Sequence, residues 1–197
     1  MARARKVDAE TALGAAVLAF WQTGFHSLGT RQMEEETGIT RFSLQTAYGG
    51  KRVLFLKALD AYLDRFEAEM LPGMADGTLE GLARWFEVRC MRECAFEGSQ
   101  WGCLMINSIV EFGGSDADVV LRSDRFYAML RCGFRDALER IKENGEVSQT
   151  LDVAGSAEVL MTASIGLNVV IRSAADVEAG QPMAACIAAM VRGWAVH

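Results

Sequence analysis

Arg41, Ser43, Gln45 and Thr46 crowd into one short stretch, with Thr40 and Phe42 among them and Tyr48, Gly49, Gly50 and Lys51 just beyond. A guanidinium, two hydroxyls and a carboxamide at this density form a hydrogen-bonding set, suited to the edges of bases and the oxygens of phosphates. Proton-transfer or nucleophilic chemistry needs a base and a nucleophile within reach. The chain has two His, His26 and His197, and no motif places a Ser or Cys beside either. There is no CxxC and no Gly-rich phosphate loop, so no catalytic residue, metal site or cofactor is expected.

Helical periodicity supplies the elements that must position this stretch. Leu13, Ala16, Val17 and Phe20 repeat at i, i+3, i+4 and i+7, and Gly24 stands where a C-cap is expected. Thr30 is expected to cap a short helix that ends at Gly38. Thr40 is expected to cap a second, 41–47, broken by Tyr48-Gly49-Gly50. A long helix then runs from Lys51 to about Met70 and stops at Pro72-Gly73. Two short helices joined by Gly38-Ile39-Thr40 behind a longer amphipathic one have helix-turn-helix geometry. The glycine allows the reversal, Ile39 plugs the core beneath it, and the second helix is free to lie in a major groove.

Further helices are predicted at 78–97, 102–112, 116–143, 153–174 and 181–195, separated at Gly98, Gly113-Gly114, Asn144-Gly145 and Gly180. No strand alternation persists. The fold class is therefore all-α, with about nine helices: an N-terminal three-helix helix-turn-helix domain, 1–55, and a larger C-terminal bundle, 56–197, sharing the long helix 51–70.

Ala15-Ala16, Phe20, Gly24-Phe25, the run Thr30 to Leu44, Tyr48-Gly49-Gly50-Lys51 and Leu54-Phe55 resemble the TetR family of bacterial transcriptional regulators, without a gap across about residues 10–60. The resemblance implies that Thr30, Arg31, Gln32, Thr40, Arg41, Phe42, Ser43, Gln45, Thr46, Tyr48 and Lys51 contact double-stranded DNA at a palindromic operator. Thr30 and Arg31 would hold the backbone, and Lys51 a phosphate at a helix N-terminus. The family usually carries Tyr, often followed by His, where this chain has Gln45-Thr46. Gln45 is therefore a candidate for reading a base such as adenine. Phe42 replaces a common small residue and either touches a thymine methyl or packs. The resemblance further implies a homodimer, a small-molecule effector that releases a repressor from DNA, and a cytoplasmic protein, nucleoid-associated when DNA-bound.

In the body, Gly102-Cys103-Leu104-Met105-Ile106-Asn107 and Glu111 resemble one branch of that family more weakly. Trp85, Phe86, Cys103, Met105, Asn107, Phe126, Tyr127, Leu130, Phe134 and Met161 are the candidate pocket residues, each also a candidate for ordinary core packing. The Ala- and Met-rich helices 153–174 and 181–195 are expected to pair two chains in a four-helix bundle. Cys103 offers an alternative: a thiolate at a helix start gains from the dipole, making a sensor of electrophiles or oxidants, with Arg89 or Arg92 as candidate neighbours. Cys90 and Cys94, at i, i+4, are read as packing on one helix face.

The 197 residues are 51% hydrophobic and carry a net charge of −6. That charge argues against an indiscriminate nucleic-acid binder. It is unevenly spread. Residues 1–57 hold eight positive and five negative side chains, a net of +3, and the remaining 140 hold 12 and 21, a net of −9. A mildly basic head on an acidic body suggests two tasks. Within the body the longest uncharged runs, 98–110, 159–171 and 179–191, have 13 residues each, short of the roughly 18–20 of a spanning helix. The basic N-terminus leads into an acidic periodic segment, so no signal peptide is expected, and the five Cys are expected to be reduced.

Overall fold

The computed structural model describes residues 9–74 and 76–196; Arg3, Arg5, Lys6 and Asp8 of the basic head, and His197, lie outside them. Nine α-helices are formed among the described residues: α1 Ala9–Thr23, α2 Thr30–Thr37, α3 Arg41–Thr46, α4 Lys51–Arg65, α5 Leu79–Val88, α6 Leu104–Phe112, α7 Ala117–Glu143, α8 Val153–Ala174 and α9 Gln181–Arg192. A π-turn, Phe66–Met70, carries α4 to the expected end of the long helix. The described residues contain no strand beyond one isolated bridge, Val147 to Ala195.

Several helix starts follow from local chemistry. The Asp116 carboxylate accepts from the amides of Asp118 and Val119, at 3.0 and 3.2 Å. Asp152 accepts from Gly155 at 3.0 Å, and Thr78 Oγ1 from Gly81 at 3.0 Å. Each satisfies a donor that the first turn leaves open, and the carboxylates also meet the positive end of the helix dipole.

Four expectations are corrected. The helix predicted over 78–97 ends at Val88, because tertiary packing overrides local periodicity. Arg89 folds its guanidinium over Trp85, 4.6 Å from the ring centroid, Met91 is extended, and Gly98 at φ 95° lies against Trp21. A Cβ on Gly98 would fall 2.7 Å from that indole. Cys90 and Cys94 consequently share no helix face: Cys90 is buried and Cys94 exposed. The last helix closes at Arg192, freeing Ala195 for its bridge to Val147. At α2 the N-cap is Gly29, whose carbonyl takes the Met33 amide, and Thr30 is the first helical residue.

Helix α8 is also longer and more apolar than its uncharged run suggested. Its 22 residues, with a best 18-residue mean hydropathy of 1.5, could cross a membrane by length and composition alone. In this fold it lies along α7, and Glu158, which bounds the uncharged run, pairs with Arg131 of α7.

Helices α5 and α9, α7 and α8, and α1 and α4 form the main packing pairs. The body core stacks Phe86 on Phe134, centroids 5.7 Å apart, with Trp85 edge-on to both. The head core sets Phe20 edge-on to Phe55 at 5.0 Å, and Phe55 stacks on Phe112 of α6 at 5.4 Å. Apolar packing therefore runs unbroken from head to body.

Candidate nucleic-acid interface and an adjoining cavity

Helices α2 and α3 are joined by a turn that the sequence builds closely. Gly38 adopts φ 69° and returns its amide to the Glu34 carbonyl. A side chain there would be strained, which explains glycine. Ile39 is buried, as expected. Thr40 caps α3, its Oγ1 accepting from the Ser43 amide at 3.1 Å. Thr37 was passed over in the sequence, yet it stitches the turn: its buried Oγ1 donates to the Met33 carbonyl at 2.6 Å and accepts from Ile39 N–H at 3.1 Å. Its signal was a hydroxyl one residue before the terminating glycine.

The structure brings the expected contact residues onto one end of the molecule. Leu44 alone of α3 is buried; Arg41, Phe42, Gln45 and Thr46 are exposed, and Phe42 presents 77% of its surface. Arg31 is held by Glu35 at 3.0 Å, and Gln32 by Glu36 at 2.7 Å. Two glycines at φ 75° and 97° turn α3 into α4, where Lys51 lies half-buried with its ammonium 4.6 Å from the Phe25 centroid. Burial lowers the Lys51 pKa from 10.5, against the opposing pull of Glu111.

The body holds this head by discrete clamps. Glu111 of α6 accepts from the amides of Phe25 and His26, at 2.9 and 2.6 Å, and meets His26 Nδ1 at 2.9 Å. Arg172 of α8 donates to the carbonyls of Trp21 and Gln22 at the end of α1. Arg52 of α4 reaches Asp116 and Asp118.

Beside α1 lies a cavity of about 940 Å3. Leu13, Val17 and Trp21 of α1 form one wall, Tyr62 and Phe66 the second, and Trp85, Arg89 and the 94–102 segment the third. It thus borders the head helix and the body together.

No protein-family model matches the chain. An uncharacterized HTH-type transcriptional regulator of Bacillus subtilis strain 168, YezE, is 26% identical over 180 residues, 90% of this chain and 93% of that protein. The HTH-type transcriptional repressor ComR of Escherichia coli K12 is 27% identical over 180 residues, 89% of this chain and 85% of that protein. A TetR-family regulator from Cytophaga hutchinsonii superposes with a TM-score of 0.82 over 95% of this chain and 94% of that one, at 12% identity. A cysteine mutant of the TetR-family regulator CifR, in complex with 26 bp double-strand operator DNA, superposes at 0.76 over 98% and 100%, at 23% identity. The chain has the TetR-family fold.

Within this TetR-family fold the ten pocket candidates divide. Trp85 lines the cavity; the other nine do not. Phe86, Phe126, Leu130 and Phe134 fill the core, as do Met105 and Met161. Tyr127 packs on Phe126, and the Asn107 amide donates to the Trp101 carbonyl at 2.9 Å. Cys103 is the N-cap of α6, as the dipole argument required, but it is 2% exposed. Burial raises its pKa from 9.0, outweighing the Tyr62 hydroxyl 3.3 Å away, two backbone amides and Arg89. The activated thiolate expected there is therefore disfavoured. Arg92 is turned away, paired with Asp176 and Glu178. The cavity's walls were missed because Leu13 and Val17 read as the helical stripe of the head, Trp21 was not singled out, and 88–97 read as helix.

Proposed function

We propose that this chain is a sequence-specific DNA-binding transcriptional repressor, released from a palindromic operator by a small molecule. The observation that carries the reading is the helix-turn-helix whose second helix exposes Arg41, Phe42, Gln45 and Thr46 while burying Leu44. Residues 1–55 read DNA, with Thr30, Arg31, Gln32, Thr40, Ser43, Tyr48 and Lys51 as supporting contacts, and 56–197 bind effector and partner. Two copies pair through α8 and α9, where Val159, Val169, Met183 and Met190 are exposed apolar side chains beside small residues. Such a dimer presents two recognition helices to half-sites about one helical turn apart. The protein works on the nucleoid, in the cytoplasm.

The test is in vitro selection from random double-stranded DNA with the purified full chain, followed by anisotropy on the selected sequence. An enriched inverted repeat, whose binding is lost on Arg41→Glu, supports the reading. The absence of any enriched sequence between about 50 and 200 mM salt refutes it.

A further inference from the structure

Three buried side-chain polar atoms lack a hydrogen-bond partner among the described residues: Trp21 Nε1, Arg89 Nε and Arg89 Nη1. All three are donors. Both side chains line the same cavity, Trp21 from α1 and Arg89 from the end of α5. Buried donors without acceptors are costly, and a buried guanidinium without a counter-ion more so. Two features soften the cost for Arg89. It stacks on Trp85, and it caps a helix C-terminus where the dipole favours a cation. Neither gives its N–H groups an acceptor. The ionisable groups that act on Arg89 are Tyr62, Cys103 and Cys90, and burial holds each of these in its neutral form. No carboxylate is among them.

The rest of the inner wall is mainly apolar or aromatic, with Val17, Phe66 and Trp85 facing the same space; its uncharged polar side chains, Tyr62, Ser99 and Asn168, are bonded to Cys103, the Phe96 amide and the Ser164 carbonyl. Carboxylates occur only toward solvent: Glu10, Asp64, Glu69 and Glu97 are exposed, with Asp64 paired to Arg125 and Glu69 to Arg65. The arrangement is a donor-only, cationic floor in an apolar chamber beneath an acidic rim. A multiply charged anion would be repelled at the rim, whereas a singly charged one with an apolar body meets a counter-ion only once inside.

We propose that the cavity takes an apolar organic monocarboxylate, its carboxylate on Arg89 and its body between Trp21 and Trp85. The effector would then touch α1 directly. This rests on the reading of the chain as an effector-controlled regulator, but it is tested without DNA.

The experiment is calorimetric titration of the full chain with 1-naphthylacetate, 4-phenylbutyrate and octanoate, each against its primary amide. At least one acid is expected to bind about ten- to a hundredfold tighter than its amide, the range for a charge-assisted hydrogen bond. Arg89→Met should abolish that ratio, and Arg89→Lys, which keeps the charge but fewer donors, should retain part of it. Circular dichroism melts establish that each variant is folded. Arg89→Met is expected to melt no lower than the parent, because it removes an unpaired buried cation; if it does not fold, Arg89→Lys decides alone, a full loss or full retention of the ratio counting against the proposal. Acids that bind no tighter than their amides, acids that fail to bind at millimolar concentration, or an unchanged ratio in Arg89→Met overturn it. An acid preference in a chain that selects no DNA sequence refutes the regulator and leaves the site standing. DNA selection without acid preference does the reverse.

Discussion

Replacing Glu111 with Ala removes the clamp that ties the α1–α2 connection to the body. Three contacts go at once: the Phe25 amide at 2.9 Å, the His26 amide at 2.6 Å and His26 Nδ1 at 2.9 Å. Hydrogen bonds to a charged acceptor are worth about 1.5–3 kcal/mol each when sheltered. The Phe25 amide is half-buried and takes the full range; His26 is exposed, so its share is nearer 0.5 kcal/mol after hydration. The sum is about 2–3.5 kcal/mol. For a chain of 197 residues each kcal/mol moves the melting temperature by about 2–4 °C, giving a drop of roughly 4–14 °C. Glu111→Gln keeps one oxygen acceptor and should lose about half as much. Thermal unfolding followed by circular dichroism measures both, and amide exchange should quicken at Phe25 and His26 before it does in α7. Gly24 belongs to the same device: at φ 83°, a Cβ there would lie 3.0 Å from the Glu111 carboxylate. A Glu111→Ala protein melting within about 1 °C of the parent would refute the reasoning.

Thr37→Val keeps the shape of the turn but leaves Ile39 N–H without an acceptor, and should cost about 1–3 kcal/mol in chemical unfolding with an unchanged m-value. Lys51→Ala should weaken DNA binding uniformly across sequences and flatten the salt slope by about one, whereas Arg41→Ala should relax sequence preference in the same anisotropy assay. Arg192 joins α9 to Glu80 and Glu87 of α5, and its hydrogen bonds to Glu80 hold that carboxyl below its ordinary 4.5. The melting advantage of the parent over Glu80→Gln should thus be complete above about pH 4.5 and disappear as the pH falls through the lowered value. Phe134→Ala opens a void under Phe86 and Trp85 and should destabilise by about 3–5 kcal/mol in urea unfolding.

Where the sequence states its own caps, the helices were legible. Thr40 announces α3 and Gly38 closes α2, each through a bond between residues three or four apart; Asp116 and Asp152 cap α7 and α8 by the same local chemistry, which the sequence reading did not use. The exposed face of α3 was legible for the same reason, since α3 is short, capped and has one buried position. The segment after Val88 was not. Its helical spacing is genuine, but Arg89 on Trp85 and Gly98 on Trp21 are decided by contacts with distant elements. The cavity inherits that obscurity, being built from the segment where the helix fails and from the apolar face of α1. Trp21 carried the one available signal, an indole whose N–H needs a partner once buried.

The position of the cavity also bears on how large a response an effector must produce. Helix α1 is fixed to the body at its C-terminal end by Glu111 and Arg172, and the cavity wall begins one to two turns earlier, at Leu13 and Val17. On the proposed reading, a ligand seated between Trp21 and Arg89 presses on α1 at the residue whose carbonyl Arg172 holds, about one turn before the Glu111 clamp. Allosteric coupling of about 1–3 kcal/mol is enough to shift DNA affinity some 5- to 150-fold. That is comparable to the loss of one clamp hydrogen bond to Glu111. A ligand that fits only when the Phe25 and His26 amides leave their carboxylate would therefore release DNA without any repacking of α7 to α9. The switch would lie in the α1–α2 connection, and the dimer helices would stay as they are.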